Sequence, residues 1–268
     1  MRSGHSGERA TLIHMSLLAS RSTGSGPLAV FLHGFPMDHR LWDQLVAQLG
    51  GYRQCVAVDL PGCGDSSIEG ATSIDDIADR VAELITSFGA DADVVGLSMG
   101  GYVQLALFER HPDVVRSLVL MDTRSEADTD EGKAGRMALI EQVEATGVDP
   151  VADAMANALP ATQAAPWVKR RIRTMASNSS PAAVISALQA MATRSDRTGM
   201  LSTIQVPTLV LVGSDDALTP PDGARRMAGA IGAKFVEIAG AGHVPPLERP
   251  AAVAEAVQQF WTQQAVTG

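Results

Sequence analysis

The chain reads as an α/β protein built on a mostly parallel sheet covered on both faces by helices. Short, continuously apolar strand segments alternate with amphipathic helical segments up to residue 122 and again from 206, without the in-out alternation of a half-exposed sheet. Between these stretches the strand signal stops and only helical patterns remain, which predicts an inserted helical cap. A length of 268 residues permits one large domain or a core with an insert. The expected division is a core of 1–122 and 200–268 and a cap of 123–199.

Reading forward, LIHMSLLAS (12–20) has the pattern of a broken strand or hairpin, and STGSGP (22–27) has turn composition. LAVFLH (28–33) is a buried strand. After the loop GFPMD, the apolar positions 41, 42, 45, 46 and 49 repeat with the helical period and predict a helix over LWDQLVAQL. A Gly-Gly stop precedes the strand CVAVDL and the turn PGCGDS. Ser73 with Asp76 then opens a helix to about Ser87 in the manner of a capping box. DVVGL (93–97) is the next strand, followed by Ser98 and the helical GGYVQLALFERH, which stops near Pro112. SLVLMD follows as a strand. Four helix candidates fill the cap: GKAGRMALIEQVEA, PVADAMANAL, AAPWVKRRIRTMA and PAAVISALQAMA. The core resumes with the strand VPTLVLVG (206–213), a helix beyond Pro220 and Pro221, the strand KFVEIA (234–239) and a closing helix from about Pro250 to Gln264.

Composition narrows the classes of function. The chain is 46% hydrophobic and 19% charged, which supports a packed core. Its 21 basic and 30 acidic side chains give a formal charge of -9 with no dense basic stripe, so neither nucleic acid nor an anionic membrane is expected as a partner. No apolar run approaches the roughly 18–20 residues needed to cross a bilayer, and the N-terminus lacks the pattern of a signal peptide. Cys55 and Cys63 are too few for a disulfide framework and have no metal-ligand spacing. A cytoplasmic setting is expected.

The strongest chemical signal is Gly96-Leu97-Ser98-Met99-Gly100, a G-x-S-x-G sequence between a strand and a helix. A serine on such a sharp turn projects its hydroxyl from the top of the sheet, and glycines on both sides let strand and helix approach. The alternative is a serine that only caps the following helix. A hydroxyl nucleophile needs a base, and among six histidines His243 has the best setting, in a Gly-containing loop after the last strand. His33 adjoins the loop after the first buried strand and is expected to organise it. The third member, which fixes the imidazole tautomer, is assigned to Asp216 at the end of VLVG, with Asp215 and Asp122 as competitors. Backbone N–H groups of Phe35 and Met99 are the expected oxyanion donors.

HGFP (33–36), DLPGCGDS (59–66), GLSMGG (96–101), GSDDALTPP (213–221) and AGHVPPLERP (241–250) resemble the α/β-hydrolase superfamily over nearly the whole chain. Within it the sequence is similar to small capped carboxylesterases, enol-lactone hydrolases and acyl-homoserine lactonases. The resemblance implies an α/β-hydrolase fold, a triad of Ser98, Asp216 and His243, and oxyanion amides at Phe35 and Met99. It implies cleavage of small-molecule esters or lactones through an acyl-enzyme, with no metal and no organic cofactor. A serine at position 98 argues against the dehalogenase and epoxide hydrolase branches, which carry aspartate there. The same triad serves C-C bond hydrolysis and perhydrolysis, and a non-catalytic receptor is the alternative outside enzymes. His33, Trp42, Met121, Arg124, Trp167 and Val244 are candidate pocket residues, each also compatible with ordinary packing.

Overall fold

The computed structural model describes residues 18–67 and 72–267. Its centre is a sheet of seven strands: β1 (Ser20–Thr23), β2 (Leu28–Leu32), β3 (Gln54–Val58), β4 (Ala92–Leu97), β5 (Val115–Met121), β6 (Thr208–Gly213) and β7 (Lys234–Ile238). The spatial order is β1-β3-β2-β4-β5-β6-β7. β1 runs antiparallel to β3, with Ser20 opposite Val58, and the remaining pairs are parallel. Every residue of β2, β4 and β6 is buried, while the edge strand β7 is partly exposed. This burial explains the unbroken apolar runs, because a strand with helices on both faces has no solvent side. Alternate residues supply two separate cores: Leu28, Val30 and Leu32 of β2 join one, and Ala29 and Phe31 join the other.

In the first half of the core lie α1 (Asp43–Leu49), α2 (Ile74–Ser87) and α3 (Met99–Arg110). The Ser73 hydroxyl caps α2 by accepting from the Asp76 N–H at 3.0 Å. The Asp76 carboxylate reaches one residue further back than a reciprocal box requires, to the N–H and hydroxyl of Thr72. Between β5 and β6 the chain forms α4 (Asp130–Thr146), α5 (Asp149–Ala158), α6 (Pro166–Ser177) and α7 (Pro181–Ala192), then a 3-10 helix over Thr198–Thr203. This is the inserted helical cap. After β6 come α8 (Pro221–Ile231), the four-residue α9 (Pro245–Glu248) and α10 (Pro250–Thr267).

Local differences have physical causes. The strand pattern over residues 12–20 lies outside the described residues as far as 17. β1 takes in Ser22 and Thr23, which by composition belong to a turn, because their pairing with Val56 and Cys55 overrides weak strand preference. Among the described residues no helix is long and apolar enough to cross a membrane. The topology also places the site: β2 lies between β3 and β4, so the chain leaves β2 to one side and returns on the other, opening a crevice at the carboxyl ends of these strands.

Candidate active site

Ser98 joins β4 to α3 with φ 54° and ψ -111°, a left-handed conformation that side chains rarely adopt. Its N–H donates to Met121 O at 3.0 Å, and its carbonyl accepts from the Thr123 hydroxyl at 2.8 Å. Both partners come from the end of β5, so the neighbouring strand clamps the turn. The hydroxyl makes no capping hydrogen bond to α3, which removes the capping role as its reason to be there. The flanking glycines are required by contact: a Cβ at Gly100 would lie 2.1 Å from Leu32 O, and one at Gly96 would lie 2.6 Å from Gly100 O. Ser117, the buried serine earlier in β5, donates to Asp93 at 2.7 Å and is committed to structure.

The expected acid and base meet along the same edge of the sheet. Asp216 follows β6, His243 follows β7, and His243 Nδ1 lies 2.8 Å from Asp216 Oδ2, with both side chains buried. Asp216 Oδ1 accepts the N–H groups of Leu218 (2.8 Å) and Thr219 (3.0 Å), and Oδ2 also accepts the Thr219 hydroxyl. Burial alone would raise the Asp216 pKa, but the hydrogen bond and charge of His243 and the Thr219 donors outweigh it and hold the carboxyl below its ordinary value. The ionised acid therefore fixes the imidazole with Nδ1 as donor. Nε2, the other ring nitrogen, is buried and has no hydrogen-bond partner. Asp215 faces elsewhere: its carboxylate accepts from Ser214.

Met99 is the first residue of α3, so its N–H has no intrahelical acceptor and is free to serve an anion. The loop carrying Phe35 is held by His33. The His33 Nδ1 donates to Gly34 O at 3.0 Å and Nε2 accepts from Leu60 N–H at 3.0 Å, an arrangement that requires the neutral ring. Burial lowers its pKa accordingly.

Residues 29–256 match the family described as the Alpha/beta hydrolase family. This chain is an α/β-hydrolase. The hydrolase is 34% identical over 238 residues to the pimeloyl-[acyl-carrier protein] methyl ester esterase of Neisseria meningitidis serogroup A, covering 85% of this chain and 75% of the relative. It is 30% identical over 258 residues to the biotin biosynthesis bifunctional protein BioHC of Teredinibacter turnerae, covering 88% of this chain but spanning only 45% of that longer relative. Among solved structures it is similar to a thermophilic esterase from Thermogutta terrifontis with malate bound: 35% identity, 92% and 93% of the two chains covered, TM-score 0.88. It also resembles the enol-lactonase from Burkholderia xenovorans LB400, at 27% identity, 91% and 96% coverage and a TM-score of 0.84.

In the hydrolase, Ser98 opens into a cavity of about 260 Å³ between core and cap. Phe35 and Tyr102 line it near the serine; Leu139 and Met155 from α4 and α5, Leu159, Leu188 and Met191 from α7, and Leu218 make its apolar wall. Arg124 also lines it, with Nη2 donating to Leu218 O at 2.6 Å. Arg136 and Asp128 form a polar end, where Arg194 pairs with Asp128 at 2.7 Å and stacks over the Tyr102 ring.

Other candidate pocket residues lie elsewhere. Trp42 packs against Phe31 in the second core, with Met121 and Val244 fully buried in the same cluster, and His33 is enclosed beneath its loop. Trp167 sits at the start of α6, partly exposed to solvent. An aromatic near a catalytic loop is apolar on either side of it, and sequence does not say which side holds the substrate. Thr123, Thr219 and Glu248 carry no pattern in the sequence, because their contacts run across loops. Asp216 itself makes an Asx-type turn, accepting the Leu218 N–H two residues on.

Proposed function

We propose that this hydrolase cleaves carboxylic esters or lactones of small to medium acyl chains, with Ser98 as nucleophile, His243 as base and Asp216 as acid. The observation that carries the reading is the buried Asp216–His243 pair, 2.8 Å apart with Nε2 unpartnered, on the sheet edge that presents the strained Ser98 to a cavity. His243 Nε2 takes the hydroxyl proton as the Ser98 oxygen attacks the carbonyl carbon. The tetrahedral oxyanion is met by the N–H groups of Met99 and Phe35, an interaction whose loss typically costs about 3 kcal/mol in the transition state. The imidazolium, stabilised by Asp216, gives its proton to the leaving alcohol. Water then attacks the acyl-enzyme with His243 as base again and releases the acid. For a lactone both products stay on one molecule.

The cavity volume supports small to medium acyl groups, because about 260 Å³ lies just below the usual range for drug-sized ligands. We read residues 123–199 as the cap that closes it, over a core of 1–122 and 200–268. Cys55 and Cys63 are unbridged, which suits a reducing compartment such as the cytoplasm, and burial pushes both thiols up to about 12, which makes them unreactive.

A second reading concerns what carries the acyl group. In a chain of net charge -9, α6 holds Lys169, Arg170, Arg171 and Arg173 and no acidic residue, and it packs on α5, which contributes Met155 to the cavity. Arg171 pairs with Asp43 and Arg173 with Asp153, so Lys169 and Arg170 are the cations that support an ester borne on a carrier protein, the acyl-carrier-protein substrate that the meningococcal relative's name gives.

One experiment tests both. Turnover is measured on p-nitrophenyl esters from acetate to decanoate, on aliphatic lactones, and on methyl esters of dicarboxylic acyl chains presented free and on acyl carrier protein, with Ser98→Ala as control. The expected result is a chain-length optimum that the mutant abolishes. Activity that survives in Ser98→Ala, or none on any substrate, overturns the ester and lactone reading, and equal rates on free and carried esters overturn the second.

A further inference from the structure

One buried ionisable group has no part in the mechanism above. Asp122 ends β5 with φ 44°, the second described non-glycine residue in the left-handed region besides Ser98, and it is 1% exposed. Its N–H donates to Leu211 O at 3.0 Å, and its Oδ1 accepts the Gly213 N–H at 2.8 Å, so both neighbours on β6 hold it in place. Oδ2 is buried and receives no N–H or hydroxyl donor, and the side-chain neighbour it faces is the Asp216 carboxyl. The side-chain oxygens of Asp122 and Asp216 and a ring nitrogen of His243 lie within 4.8 Å of one another. A strained backbone, one oxygen anchored by a backbone N–H and a second without such a donor thus converge on the Asp216–His243 pair.

We propose that Asp122 is a second acid for His243, positioned to accept the Nδ1–H in place of Asp216. It is a positioning residue, and the inference rests on the triad reading given above. Two carboxylates this close in a site closed to water do not both ionise, so the pair holds one negative charge and one proton. Asp216 takes the charge because it has four donors: His243, the Thr219 hydroxyl and two backbone N–H groups. Asp122 has one anchoring donor, and burial and the Asp216 charge both push its pKa well up. The ionisable groups acting on it are Asp216, His243 and, more weakly, Glu248. When the Asp216 charge is removed, its repulsion goes with it. Burial still holds the Asp122 carboxyl up, and as pH rises it gives its proton to solvent and becomes the anion that accepts from the imidazole.

The test is a double-mutant cycle of Asp122→Asn and Asp216→Asn, read as the rate of Ser98 labelling by a fluorophosphonate, which reports nucleophile activation whatever the natural substrate. In triads with one acid, the acid-to-amide change costs about 10⁴-fold. Here Asp216→Asn is expected to lose far less. Asp122→Asn is expected to cost at least about tenfold more in the Asp216→Asn chain than in the wild type, a coupling that independent roles do not produce. The labelling rate of Asp216→Asn rises with pH as Asp122 ionises, and the double mutant lacks that rise. Equal costs of Asp122→Asn in both backgrounds overturn the proposal. Should Asp216→Asn fail to fold, infrared difference spectra of wild type and Asp122→Asn at neutral pH decide: a carboxylic-acid C=O band lost in the mutant supports it, and no such band overturns it. A wild type unlabelled at Ser98 defeats the triad reading itself, and this inference with it, an outcome separate from the others.

Discussion

At the scale of the residue, the position proposed for the nucleophile carries backbone strain. Ser98 sits at φ 54°, ψ -111°, where a Cβ is strained and glycine is not. Such conformations cost on the order of 1–3 kcal/mol, partly offset in a glycine variant by about 0.5–1 kcal/mol of unfolded-chain entropy. Ser98→Gly is therefore expected to be inactive and about 1 kcal/mol more stable than wild type, while Ser98→Ala, which keeps the Cβ, is inactive with little change. Urea titration of the three proteins checks this, and identical stability of the Gly and Ala variants would remove strain from the account. The same position was the most legible in the sequence. G-x-S-x-G is contiguous, and its glycines answer to contacts with Leu32 and with each other that the strand-turn-helix order already implies. Asp216 was separable from Asp215 only through coordinates, because the choice depends on which carboxylate turns toward His243.

At the scale of the element, the cap is tied to the base by a single side chain. Glu248 of α9 accepts the Ala161 N–H (2.9 Å) through Oε2 and the Gly242 N–H (2.9 Å) through Oε1, while His243 N–H donates to Leu159 O at 2.8 Å. The segment after α5 and the loop after β7 are thereby fixed to each other, and the imidazole stands between them. Burial raises the Glu248 pKa, opposed by these same N–H groups. A glutamine at 248 keeps the shape but turns an amide NH₂ toward one of the donors. Glu248→Gln is expected to lose about 1.5–3 kcal/mol, the usual worth of hydrogen bonds to a charged group, and to slow turnover by loosening the His243 loop. Denaturant midpoints and kcat measured together check this; an unchanged midpoint would mean the carboxylate adds nothing to the joint. The cap helices were legible because their period is local. This joint was not, since it links residues 87 positions apart through a carboxylate that in sequence is one more charge in a Pro-rich loop.

At the scale of the whole molecule, the acids along the sheet edge add two opposed contributions to how the fold responds to pH, beside depressed carboxyls elsewhere such as Asp38, Asp79 and Asp128. Asp216 has a depressed pKa, so its contribution to stability is present above its ordinary value of 3.8 and is lost as pH falls through the lower folded value. Asp122 works in the opposite direction. Its carboxyl stays protonated in the folded chain but ionises near 3.8 when the chain unfolds, so above that pH the folded state holds one more proton. Stability then falls as pH rises, by about 1.4 kcal/mol per pH unit, until the folded pKa of Asp122 is reached. The two windows do not overlap: one lies below 3.8 and the other above it. Asp122→Asn removes the upper one and keeps an acceptor for the Gly213 N–H. Glu248, whose pKa is also raised, is common to both proteins and cancels in their difference as long as Asp122 is uncharged in the folded chain. The stability of Asp122→Asn relative to wild type is therefore expected to climb with that slope from about pH 5 and to level off where Asp122 ionises in the folded protein. Urea unfolding of both proteins in steps from about pH 5 to about pH 8 gives the difference directly. A difference that does not change with pH would mean that Asp122 is ionised in the folded chain, and the one-charge pair at the base of the triad would have to be abandoned.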